Sequence, residues 1–142
     1  MLREEICGIV ASSPMLQGLD ADQCQTFVEQ GRPRQAKRGT FLFHQGEPAT
    51  SFFILTEGRV RLTRIATDGS QVILNNFGPG DGIGVIVALS KLEYPAFAEV
   101  LKDSAAISWD RETARRLMIQ IPQLALNAME MMANRFAGLQ GQ

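Results

Sequence analysis

Histidine occurs once in this chain, as His44, and cysteine only twice, as Cys7 and Cys24. A metal-dependent enzyme on a β scaffold needs several His or acidic ligands around one ion, and this shortage of donors speaks against one. An iron–sulfur cluster asks for four cysteine-type ligands, which two distant thiols do not supply. No CxxC, HExxH, P-loop or Ser-His-Asp set is present, so no catalytic chemistry is expected. Cys7 and Cys24 could pair only by chance of geometry; free thiols in a reducing compartment are the expectation.

Excess charge is lacking too. Fourteen Lys and Arg stand against fifteen Asp and Glu, a formal net charge of −1. Binding a nucleic acid unaided requires a basic surface to neutralise phosphates, and this chain has none to spare. No apolar run is long enough to span a bilayer, and Glu4 and Glu5 stand where a secretory signal would be basic. A soluble cytoplasmic protein is expected. The 142 residues suit one compact domain.

The order of elements is readable along the chain. Residues 2–16 carry Ile6, Ile9 and Val10 at helical spacing, and Pro14 is expected to end that helix. Asp20 with Gln23 forms a capping-box pattern for a second helix, with Cys24, Phe27 and Val28 on its apolar face and Gly31 as its stop. Glycines then recur at 39, 46, 58, 69 and 78 between runs rich in Phe, Ile, Val and Thr. Regular turns between short apolar runs predict an all-β sandwich or barrel. Strands are expected at residues 41–43, 51–55, 59–63, 71–77, 97–101 and 105–109, with a hairpin at Asp68-Gly69. Arg59 and Arg61 alternate with apolar neighbours and should face water. The basic run of Arg32, Arg34, Lys37 and Arg38 reads as a solvated turn. Trp109 reads as a core anchor, and Asp110 as the cap of a helix from Arg111.

Pro122 can open a last helix. On it Ala125, Met129, Met132, Phe136 and Leu139 follow one another at spacings of four and three, a seam for a homodimer. Leu124, Ala128 and Met131 lie off that seam and widen the apolar arc. Residues 1–121 are therefore expected to form a β domain with N-terminal helices, and residues 122–142 to begin a dimerisation helix.

Residues 80–100, GDGIGVIVALSKLEYPAFAEV, read first as a glycine-rich turn able to hold an anion on backbone N–H groups. Set beside His44-Gln45-Gly46-Glu47-Pro48, Phe53-Ile54-Leu55, Glu57-Gly58-Arg59-Val60, Asp68-Gly69, Phe77-Gly78-Pro79-Gly80-Asp81 and Ile83-Gly84, the stretch resembles the effector domain of the Crp/Fnr family of bacterial transcription regulators. The resemblance covers nearly the whole chain. It implies a jelly-roll-like, mainly β domain with flanking helices, a small-molecule effector and a homodimer. It also implies that DNA is contacted only through a winged helix-turn-helix that is not in this chain, which then reads as the sensor part of a longer regulator.

In cAMP-binding members of the family, a glutamate for the ribose follows the glycine matching Gly84, and an Arg-Ser pair holds the phosphate. Those positions are Val85, Pro95 and Ala96 in this chain, and the adenine-contacting positions fall near Leu139 and Gln140. A buried phosphate without a cation is costly, so no useful cyclic-nucleotide binding is expected. The Tyr94-Pro95-Ala96 turn resembles the nitric-oxide-responsive branch. That resemblance implies haem in an apolar crevice lined by Ile83, Gly84, Val85, Ile86, Leu89, Tyr94, Pro95, Ala96, Phe97, Met132, Phe136 and Leu139. His44 reads as a turn residue rather than an iron ligand, and the identity of any metal ligand stays open. The alternatives are a sensor of another apolar molecule and a degenerate domain that only dimerises.

Overall fold

The structure is a computed structural model, described for residues 2–140 without the side chains of residues 86, 87 and 135–140. Helix α1 spans Arg3–Ala11 and α2 spans Ala21–Glu29. The strands are β1 Arg32–Ala36, β2 Phe41–Phe43, β3 Ser51–Ile65, β4 Gln71–Phe77, β5 Gly82–Ile83 and β6 Phe97–Asp110. A short α3, Val85–Leu89, lies between β5 and β6, and α4 (Arg111–Gln120) and α5 (Pro122–Gln140) follow. The fold is an antiparallel jelly-roll-like β-roll with flanking helices. Its sheet order is β1-β6-β3-β4, with β2 also on β6 and β5 on β3.

The two long strands carry the roll. They pair from Ser51 opposite Asp110 to Thr63 opposite Phe97, with register shifts around Gly58. Gly58 has a φ of +103°, and a Cβ there would lie 2.7 Å from the Ser104 Cα. Only glycine fits this bulge. The Ser104 hydroxyl closes it, accepting from the Arg59 N–H at 3.1 Å and donating to the Lys102 carbonyl at 2.7 Å. What reads in sequence as a turn between strands 51–55 and 59–63 is therefore a bulge within one strand. The expected strands 97–101 and 105–109 likewise form one, β6.

Residues 52–55 are apolar without alternation because β3 is covered on both faces. Phe52 and Ile54 enter a core beneath the helices, with Phe27, Trp109, Leu117 and Leu124. Phe53 and Leu55 enter the interior of the roll, with Phe43, Val60, Tyr94 and Val100. Trp109 stacks on Phe27 with centroids 4.3 Å apart, and its indole N–H donates to the Phe27 carbonyl at 2.8 Å. This is the anchor expected of it.

Three further expectations meet the structure. The Asp20–Gln23 capping box forms in both directions. The first helix ends at Ala11 rather than running to residue 16: Pro14–Leu16 is a separate 3-10 turn capped by Ser13. The basic run is not a turn but β1, paired with residues 104–108 of β6. Its Pro33 is tolerated because β1 ends the sheet order, and an edge strand has donors to spare.

Candidate functional site

The glycine-rich turn is held by backbone bonds. The Gly80 N–H donates to the Leu55 carbonyl at 2.8 Å, and the Leu55 N–H donates to the Asp81 carbonyl at 3.1 Å. The Asp81 carboxylate accepts from the Gly78 N–H at 2.8 Å. Two residues on, Gly82 and Ile83 add a short strand to β3. Gly84 then turns the chain with a φ of +77°, and a Cβ there would stand 3.5 Å from both the Phe43 and Tyr94 rings. The turn therefore delivers the chain into α3 hard against the roll interior.

From that point the expected lining residues separate. Ile83 is fully buried in the roll interior, whereas Val85, two residues later, is 4% exposed in the core under the helices. Leu89 packs against that same helical core. Ala96 is buried and Pro95 faces solvent. Phe97 lies half-buried with Phe41 and His44, ring centroids 5.9 and 5.8 Å away. Met132 is 48% exposed on α5. The side chains of Ile86, Phe136 and Leu139 lie outside the described residues.

Tyr94 is the most tightly fixed of the set. Its ring stacks on Phe43, and its hydroxyl donates to the Ser51 carbonyl at 2.6 Å while accepting from the Ser51 N–H at 3.0 Å. Its own backbone bonds to Gly46 and Glu47, 2.9 and 2.8 Å. Sequence reasoning missed Phe43 and Ser51 as its partners, because nothing in the spacing links residues so far apart. It also missed the groove of about 710 Å³ that Tyr94 borders with Arg34, Lys37, Thr40 and Glu47.

His44 has a structural partner. Its Nδ1 lies 3.0 Å from Glu47 Oε1, and the same oxygen accepts the His44 backbone N–H at 2.8 Å. That backbone bond, then the imidazole contact, lowers the Glu47 pKa. Arg61 is half-buried, not fully wet, and pairs across the strands with Glu99 at 2.9 Å. No group of three or more His, Cys, Asp or Glu among the described residues could hold a metal ion.

Helix α5 uses two apolar faces. Leu124, Ala128 and Met131 pack onto the helical core. Asn127 is buried beside them, and its amide donates to the carbonyls of Met15 and Gln17, both at 2.8 Å. The other face leaves Leu126, Met129 and Met132 between 48% and 60% exposed, with Ala125 half-buried. The residues off the expected seam are thus the inward ones, and the described seam residues look outward.

Residues 33–120 match the family model of the cyclic nucleotide-binding domain. The chain is 26% identical over 127 residues to the "CRP-like cAMP-activated global transcriptional regulator" of Mycobacterium tuberculosis, covering 89% of this chain and 57% of that protein. It is 30% identical over 114 residues to the "Transcriptional activator protein anr" of Pseudomonas aeruginosa, covering 80% and 46% respectively. The solved structure of Thermus thermophilus Catabolite Activator Protein is similar at a TM-score of 0.87 and 26% identity, over 90% of this chain and 60% of that one. The chain spans about half the length of the curated relatives it matches. With the antiparallel roll, the bulged central strands and the glycine turn into α3 all in place, the match over most of the chain shows that it belongs to the cyclic nucleotide-binding domain family.

Proposed function

We propose that this chain is the effector-sensing and dimerisation domain of a Crp/Fnr-type transcription regulator, working in the cytoplasm and answering to an effector other than cAMP. The observation that carries the reading is α5, whose inner face grips the core beside α3 and whose outer face is apolar and open. A ligand that displaced α3 would reach α5 through Val85, Ala88 and Met131, which pack in or against one core. An effector acts only if it binds two arrangements of that helix unequally. A second copy of the chain on the outer face would transmit the shift. DNA would be read by a separate domain, consistent with the near-zero charge of this one.

The exclusion of cAMP is supported by chemistry at three positions. Val85 is buried among apolar side chains, Ala96 has no polar side chain and Pro95 has no N–H. A phosphate held there would lack the cation and fork that normally repay its desolvation. An apolar effector suits the composition better. Haem is the candidate of that class that the family resemblance implies, but Ile83, Val85, Tyr94 and Ala96 are at most 4% exposed. As packed, these residues do not fit a porphyrin, which would need α5 or α3 to move. The proposed function requires no iron.

Calorimetric titration of the purified chain with cAMP, then with ferrous haem and nitric oxide, tests this reading. No cAMP heat at millimolar ligand is expected. Saturable micromolar cAMP binding would overturn the reading. A specific Soret band would assign the apolar effector to haem.

A further inference from the structure

Cys7 and Cys24 are distant in sequence, but the fold puts them together. Helices α1 and α2 pack side by side and leave between them a groove of about 650 Å³. Cys7 sits mid-face on α1 between Glu4 and Ala11, and Cys24 sits mid-face on α2 between Ala21 and Gln25; all six residues line that groove. Both thiols are free, both are half-buried, and both pack against the same helical core. Cys7 lies close enough for its charge to act on the Cys24 thiol. Two sulfurs on facing helices, sharing one solvent-reached groove, form a dithiol rather than two isolated buried cysteines.

We propose that Cys7 and Cys24 are a reversible dithiol–disulfide pair, closed by hydrogen peroxide and reopened by a small thiol. One sulfur attacks a peroxide oxygen, the O–O bond breaks, and a sulfenic acid and one water form. The second sulfur then attacks the sulfenic sulfur and displaces its hydroxyl, which leaves as a second water with the remaining proton. Two thiols are oxidised by two electrons, and one peroxide is reduced to two waters. Burial first, then the Asp20 carboxylate and Cys7, push the Cys24 thiol up. The thiolate is the attacking species, and a thiol pushed up suits the resolving role, which falls to Cys24. Closing the bridge fastens α1 to α2, which the Arg3–Glu29 ion pair already joins near the helix ends.

The test is intact mass and peptide mapping of the whole chain after brief peroxide treatment. Trypsin is unsuitable, because no Lys or Arg lies between the two cysteines; cleavage before Asp20 and Asp22 separates them. The expected result is a loss of about 2 Da, with the Cys7 and Cys24 peptides joined until dithiothreitol is added. Cys24→Ser should instead trap a gain of about 16 Da on Cys7. Thiols that both stay open to alkylation would overturn the proposal, as would oxygen added to each without a link. Bridges between two copies of the chain would overturn it as well. Cys24→Ser removes one sulfur from a half-buried position, and circular dichroism before oxidation checks that it folds.

Discussion

The ring of Tyr94 lies flat against that of Phe43, with centroids 3.9 Å apart and planes 5° from parallel. The stack joins the loop before β6 to β2, and the Tyr94 hydroxyl adds β3 through Ser51. One side chain thus ties three segments of the roll.

Tyr94→Phe keeps the stack and removes only the hydroxyl. It leaves the Ser51 N–H and carbonyl without their partner, a cost of about 1–3 kcal/mol. Tyr94→Ala also empties a buried aromatic site and should cost about 3–5 kcal/mol. Urea unfolding of the two variants measures both. Equal stability of Tyr94→Phe and wild type would show that water replaces the hydroxyl bonds freely.

Gly58→Ala places a Cβ in a left-handed backbone and against Ser104. The expected loss is about 2–5 kcal/mol, the sum of left-handed strain and overpacking. Shortening Ser104 to Ala should not rescue it, because the close contact extends to the Ser104 backbone. Thermal melts of the single and double variants decide; a restored melting temperature in the double variant would place the conflict in the hydroxyl alone.

On α5, substitutions at the two faces should act in different ways. Met129→Glu and Met132→Glu lie on the exposed face and should leave the fold intact while giving a monomer by light scattering. Leu124→Ala, on the buried face, should destabilise the domain by about 2–5 kcal/mol. A dimer that survives both glutamates would rule out this face as the interface.

Asp110 caps α4 by accepting the Thr113 N–H at 2.8 Å. That bond, then the Thr113 side chain and the charges of Arg32 and Arg116, lower the Asp110 pKa. A lowered folded pKa means that the stabilisation is complete above the unfolded value of about 3.9 and is lost as pH falls through the folded value. Asp110→Asn keeps a cap but no charge. Its stability should fall less steeply than that of wild type as the pH drops below about 4. Parallel acid-unfolding curves would mean that the cap carries no charge effect.

Local chemistry made much of this fold legible. A capping box, a Pro at a helix start and Asp68-Gly69 each act within a few residues, and each is where it was expected. The division of α5 into two faces follows from period alone. Strand β1 is hidden because Arg32-Pro33-Arg34 has the composition of a turn, and only its bonding to β6 makes it a strand. Gly58 signals a turn equally well, since a bulge and a turn ask the same conformation of the backbone. The candidate site was the least legible. Apolar residues at 83, 85 and 94 look alike in a sequence, but the chain reverses face between 83 and 85, so Ile83 and Tyr94 serve one core and Val85 the other.

Strand β6 is bonded to β1, β2 and β3, yet it is the last strand in the chain. A ribosome releases the first three strands well before the one that joins them. Until Asp110 has emerged, the aromatic residues of β2 and β3 lack their main cover, and no shorter N-terminal piece holds a closed sheet. The domain is therefore one whose completion waits on translation. A stall or early stop before residue 110 leaves an exposed apolar chain for chaperones and proteases.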